Sequence, residues 1–198
     1  MLEQRIQQQF FDSADLKYQA AESLTRPVAD AVQAVVGCIT AGGKLLLCGT
    51  GVSALDAQHF AAQFVGRFER ERPSLAALAL SADPALLTAV AEEGDFAQIF
   101  AKQVRALGQP GDVLLALSHQ GGSAAVLAAV DVAHEKDMIV IALTGNGGGL
   151  LGARLAETDV HICVPHERAV RIQEVHNLVL HCLADAVDFQ LLGEQETP

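Results

Sequence analysis

The sequence predicts an α/β protein: a three-layer αβα sandwich on a five-stranded, parallel, doubly wound sheet, preceded by a pair of N-terminal helices. Three observations predict it. Five apolar runs recur from Lys44 onward: KLLLCG, SLAALAL, DVLLALS, MIVIALTG and DVHICV. Helix-length segments separate them. The runs are close to continuous rather than alternating, which marks strands covered on both faces, as in a parallel sheet.

The elements follow in order. Residues 3–23 read as a polar-leaning helix with a Gln-rich start. A second helix runs from about Pro27, at a favoured first-turn position, to Thr40, and Gly42-Gly43 ends it. Its VADAVQAVVGCI segment is an apolar stripe that the domain body or another subunit must cover. Residues 1–43 are therefore the helical pair, and 44–198 the sandwich core. In the core, SALDAQHFAAQFVGRF follows the first strand. PALLTAVAEE and FAQIFAKQVRAL follow the second, SAAVLAAVDVAHEK the third and GGLLGARLA the fourth. A long helix from about Arg168 to Leu192 closes the chain. No linker, low-complexity segment or short repeat interrupts this, so one domain spans 1–198.

The totals exclude several classes. The 198 residues suit one domain with a full core. Hydrophobic residues make up 51% and charged residues 19%, a globular rather than disordered profile. The formal net charge of −11 argues against direct nucleic-acid binding, which needs a basic patch. No basic segment followed by an apolar one suggests a signal peptide, and no apolar run approaches a membrane span. Cys38, Cys48, Cys163 and Cys182 lack CxxC spacing and read as reduced thiols, with Cys48 and Cys163 buried in strands. A cytoplasmic protein is expected.

Ligands of doubly wound sheets bind beyond the carboxyl ends of the strands. Three such ends are rich in glycine and hydroxyl groups: 49–53 (GTGVS), 118–123 (SHQGGS) and 144–149 (TGNGGG). In the first two, a serine stands where a helix begins, so Ser53 and Ser123 are N-cap candidates. Capping alone would explain them. Two such loops on one sheet also suit an anion, because glycines admit it to the backbone amides and the hydroxyls add donors. Phosphate is the expected anion. Neither GxGxxG nor GxxxxGK[ST] is present, which argues against a dinucleotide or P-loop nucleotide.

CGTGVSALDAQHFA, RFERERPSLAALAL, LGQPGDVLLALSHQGGSAAV, IALTGNGGG and RIQEVH together resemble the sugar isomerase (SIS) domain family. The nearest branch is that of phosphoheptose isomerase and its relative, the DnaA initiator-associating protein DiaA. The resemblance runs through nearly the whole chain. It implies a sugar-phosphate pocket on the sheet and a homotetramer with terminal helices packed between subunits. It makes Thr50, Gly51, Ser53, Ser118, Gln120, Ser123 and Gln173 the substrate- and phosphate-binding candidates. The family loops are of the types CGNGGS and STSGNS. Here an asparagine is Thr50, the loop threonine is His119, the middle serine is Gln120 and an asparagine is Gly122.

The family isomerases also carry an acid-base and metal set, matched here by His59, Gln63, Gln173 and His181. His181 and Gln63 fall at the catalytic positions, and His59, Gln173 and His181 at those of a metal such as zinc. Gln63 replaces a glutamate. Aldose–ketose isomerisation through an enediol needs a base, and a neutral amide is none. An amide is also a weaker zinc ligand than a carboxylate. Glu174, seven residues from His181 and about 20° away on a helix, is a candidate substitute base. Ala91-Glu92-Glu93-Gly94 replaces an Asn-Asp pair, placing two carboxylates either near the phosphate or on a solvated helix end. RFERERP reads as an exposed loop with ordinary ion pairs. His166, Glu167 and Arg171 stand at a subunit contact or facing the sugar. The expected function is a non-catalytic phosphosugar-binding regulator of DiaA type, partnered with the replication initiator DnaA and without a cofactor. The alternative is a phosphoheptose isomerase, with zinc, acting on sedoheptulose 7-phosphate.

Overall fold

A computed structural model of the chain describes residues 1–194. A single helix, α1 (Leu2–Thr40), precedes the sheet. The core then runs β1 (Leu45–Gly49), α2 (Val52–Val65), β2 (Ala77–Ala79), α3 (Pro84–Glu92) and, after a 3₁₀ turn, α4 (Ala101–Leu107). β3 (Val113–Leu117), α5 (Ala124–Glu135), β4 (Ile139–Gly145), α6 (Gly149–Gly152), β5 (Val160–Val164) and α7 (Ala169–Leu192) complete it. The expected sheet is present, with five strands, all parallel, in the order β2-β1-β3-β4-β5.

The three central strands, β1, β3 and β4, feed both layers, as the period of two requires. Leu45 and Leu47 of β1 point into a core shared with α1, α2 and α7. Leu46 and Cys48 point into the opposite core, with α4 and α5. Burial pushes the Cys48 thiol up to about 12, an inert group. Cys163 is only partly buried, and all four cysteines are free.

The N-terminal pair of helices is instead the one continuous helix α1, with Pro27 inside it. An interior proline loses a hydrogen bond and crowds the carbonyl four residues back, at about 3 kcal/mol. Packing outweighs this cost. Leu16, Ala20 and Leu24 before the proline and Ala31, Val32, Val35 and Cys38 after it form one buried stripe. That stripe lies against α7 and β5, so a break at Pro27 would strip half of it from the core. Residues 2–11 are exposed, Leu2, Ile6 and Phe10 among them, though Gln9 is reached by Arg171 of α7. Among the described residues no helix is long and apolar enough to cross a membrane.

Strand order locates the site. From β1 the chain first crosses to β2 on one side, then reaches β3 on the other. The loops after β1 and β3 therefore diverge and leave a crevice at the switch point.

Candidate functional site

A cavity of about 500 Å³ fills that crevice, lined by Thr50 and Ser53 after β1, Ser118, His119, Gln120, Gly122 and Ser123 after β3, and Ala169 opening α7. Five of the expected anion-binding residues, Thr50, Ser53, Ser118, Gln120 and Ser123, thus meet in one place. Gly51 shapes the first turn, at φ +61°. It is also the N-cap of α2, which moves Ser53 into the first helical turn and overturns its expected capping role. Ser123 is the N-cap of α5, yet its side chain makes no capping bond. Instead Thr50 Oγ1 donates to Ser123 Oγ across 3.3 Å, tying the two loops together. Two helix N-termini and four hydroxyls converge here, which suits a phosphate.

The third glycine-rich loop, 144–149, does not line the cavity. It braces the second. Gly145 N donates to His119 O (2.9 Å) and Leu151 N to Gly121 O (2.9 Å). Gly121 has φ +65°, and a Cβ there would run into the Gly148 carbonyl. Only glycine lets these backbones approach so closely.

A second cluster lies further along α2. Gln63 Nε2 sits 3.0 Å from His59 Nε2. The rings of His59 and His181 are 6.2 Å apart, and Phe68 lies 5.6 Å from His181. Gln63 Oε1 is buried without a partner. These donors do not form a zinc site as they stand. Two imidazoles and two carboxamides carry no anionic ligand, and the Gln63 amide engages the outward nitrogen of His59. Among the described residues no three His, Cys, Asp or Glu side chains gather with metal-binding geometry.

Between cavity and cluster lie groups that sequence reasoning passed over. Asp56 precedes His59 by three residues and Gln63 by seven, so all three share one face of α2. It is buried, and its Oδ2 has no hydrogen-bond partner. Burial raises its pKa; Gln173, the neighbouring His119 and His59, and Asn177 pull it the other way. Gln173 is thus tied to this carboxyl from α7. His119, half-buried, brings Nε2 to 3.4 Å from Ser53 Oγ and its ring to 5.5 Å from His176. Burial lowers the His119 pKa, while Asp56 raises it. His176 is fully buried and bonded to Thr144 O (2.9 Å). Burial depresses its pKa to about 4. The signal was a charged residue in the apolar stretch SALDAQHFAAQF and an imidazole in a serine loop.

Glu174 is a correction. Burial would raise its pKa, but bonds from Arg171 and Ser13 and the charges of Arg171 and Lys17 hold it low. Arg171 grips both its oxygens (2.6 and 2.7 Å) and reaches Gln9 of α1. Glu174 therefore fastens α1 to α7 and is a poor base. His166 Nδ1 accepts from Arg168 N (3.0 Å), while Glu167 is exposed. Glu92 and Glu93 do not line the cavity, and Glu93 pairs with Lys102 on the surface. In RFERERP, Arg67 and Glu71 form an exposed pair, but Arg72 does not follow that pattern. It is buried against Asp188 at 2.5 Å and donates to the carbonyls of Phe64 and Gln63 (2.8 and 2.9 Å). It locks the end of α2 to α7.

The family model of the SIS domain matches residues 9–145. The chain belongs to the SIS-domain family. A phosphoheptose isomerase of Methylibium petroleiphilum is 73% identical over 196 residues, covering 99% of this chain and 98% of the relative. One from Aromatoleum aromaticum is 56% identical over 192 residues, 97% of each. Among solved structures, the Neisseria gonorrhoeae phosphoheptose isomerase superposes with TM-score 0.90 at 46% identity, covering 95% of this chain and 99% of that one. The Francisella tularensis enzyme gives 0.92 at 43%, covering 95% and 98%. These relatives overturn the expectation of a non-catalytic regulator of the DiaA type. SIS-domain proteins this similar over full length are named as isomerases.

Proposed function

We propose that this chain is a phosphoheptose isomerase, interconverting sedoheptulose 7-phosphate and D-glycero-D-manno-heptose 7-phosphate. The observation that carries this is the pair of hydroxyl-rich loops, joined from Thr50 to Ser123, opening beside a group of imidazoles around a buried carboxyl. The phosphate sits on the helix N-termini among Thr50, Ser53, Ser118, Gln120 and Ser123, and Gln173 helps hold the sugar. Isomerisation moves one proton between adjacent carbons, and imidazoles suit that task near neutral pH. His59 is oriented by Gln63, and His181 stands beside it.

The subunits assemble as a homotetramer. The exposed apolar positions of α1 and the groove of about 400 Å³ between α1 and α7 support this. The test of function is conversion of sedoheptulose 7-phosphate by the purified protein, with and without added zinc. Turnover is expected; none under either condition would overturn the assignment.

A further inference from the structure

Thr144, near the end of β4, is fully buried, and two imidazoles from different elements hold it. His176 of α7 donates from Nε2 to its carbonyl (2.9 Å). His161 of β5 brings Nε2 to 2.7 Å from its Oγ1. β5 is an edge strand of the sheet, and His161 does not line the phosphate cavity. Its ring nevertheless lies against the loop that braces the cavity. A Cβ on Gly148 or on Gly152 would run into it. The other side of that loop meets the cavity wall. A Cβ on Gly149 would strike the Gln120 carbonyl. Gly145 N, next to Thr144, donates to His119 O, and Leu151 N donates to Gly121 O. The 146–149 loop is thus pressed between the His161 ring and residues 119–121 of the anion loop. Interiors packed this closely pass a displacement on rather than absorb it. Burial lowers the pKa of both rings, so both meet Thr144 uncharged at pH 7.

We propose that His161 is a positioning residue for the phosphate site, acting through Thr144 and the 146–149 loop. This rests on the phosphate-binding part of the isomerase reading above. A hydroxyl must come within about 3 Å of a phosphate oxygen, and such bonds weaken steeply with misalignment. The 118–123 loop carries Ser118, Gln120 and Ser123 to that anion. Beyond β3 its backbone accepts two bonds from the brace, at His119 and Gly121, so the place of the brace sets the place of the donors. Without the Thr144–His161 bond, a buried hydroxyl loses its partner and the ring loses what holds it against Gly148. The brace then shifts, and the loop meets phosphate less well. The shift acts on phosphate donors, so it falls on substrate affinity and not on the rate at which bound substrate reacts.

The experiment breaks the bond from each end. Thr144→Val keeps the shape and removes the hydroxyl, and His161→Phe keeps a ring and removes the nitrogens. The two are also combined, and Thr144→Ser retains the hydroxyl. kcat and KM for sedoheptulose 7-phosphate are measured, with the dissociation constant of inorganic phosphate by calorimetry and folding by circular dichroism. In both single variants KM and the phosphate constant are expected to rise together by about tenfold, with kcat within about threefold of native. The double variant is expected to be no worse than the poorer single one, because both remove the same bond. Thr144→Ser is expected to stay within about threefold of native. In native protein, saturating phosphate is expected to slow amide exchange at Gly145 and Leu151 by about threefold or more, a reading that needs no variant to fold. A folded Thr144→Val or His161→Phe with KM and phosphate constant within about twofold of native overturns the inference. Unchanged exchange at both amides, or no phosphate binding by native protein, overturns it too. Native protein that binds phosphate but does not turn over the sugar overturns the isomerase reading alone, and the phosphate constants still decide the role of His161.

Discussion

The carboxamide nitrogen of Gln63 lies 3.0 Å from Nε2 of His59. One turn of α2 therefore holds an imidazole by a neutral donor, and Gln63 stands as a positioning residue. The amide oxygen left over is buried and unpartnered.

Gln63→Glu changes the charge at that point. A carboxylate beside His59 supplies the anionic donor that a metal site there lacks. Zinc binding by calorimetry is expected to tighten roughly tenfold or more relative to native protein. Equal affinity would mean that the two imidazoles are too far apart for the new carboxylate to matter.

The buried pair Arg72–Asp188 fastens α2 to α7. Asp188→Ala leaves a guanidinium in the core without its counter-charge. The expected loss is about 3–5 kcal/mol in urea unfolding. Exposed Glu71→Ala, which removes the partner of Arg67, is expected to stay within about 0.5 kcal/mol of native.

His176 brings a pH dependence. Its folded pKa of about 4 lies below the ordinary value of about 6.5. Above 6.5 the group is neutral folded and unfolded and contributes no slope. Below it the unfolded chain binds the proton first, so stability falls as the pH falls toward 4. Between pH 7.5 and pH 5 this group removes about 2 kcal/mol. Denaturant midpoints across that range would measure it, and His176→Gln is expected to abolish that part of the slope.

Gly121→Ala strains a positive-φ position and drives a methyl group into the Gly148 carbonyl. A stability loss of about 1–3 kcal/mol is expected, with weaker protection of the fold by phosphate in thermal melts, because the second loop can no longer close on the third.

Leu2, Ile6 and Phe10 lie four apart on the first turns of α1, one exposed apolar stripe. If the proposed homotetramer uses this stripe, Ile6→Glu with Phe10→Glu is expected to lower the mass seen by light scattering relative to the native protein. The thermal stability of the body should change little, since both side chains are exposed.

The sequence by itself determined the layers, the five strands and the glycine-rich strand ends. Each of these follows from local pattern: continuous apolar runs, helix-length spacing and turn residues. It also placed Thr50, Ser53, Ser118, Gln120 and Ser123 in loops able to meet an anion. The tertiary structure decided the rest. The order β2-β1-β3-β4-β5 puts the crevice between the first two loops and turns the third into a brace, a choice made by non-local pairing. Packing on α7 carries α1 through Pro27, where local preference alone ends a helix. Desolvation and neighbours three-dimensionally close but far apart in the chain set the chemistry of Asp56, His119, His176 and Glu174. A charged letter in a sequence has no burial, and burial made Arg72 a core ion pair and Glu174 a fastener instead of a base.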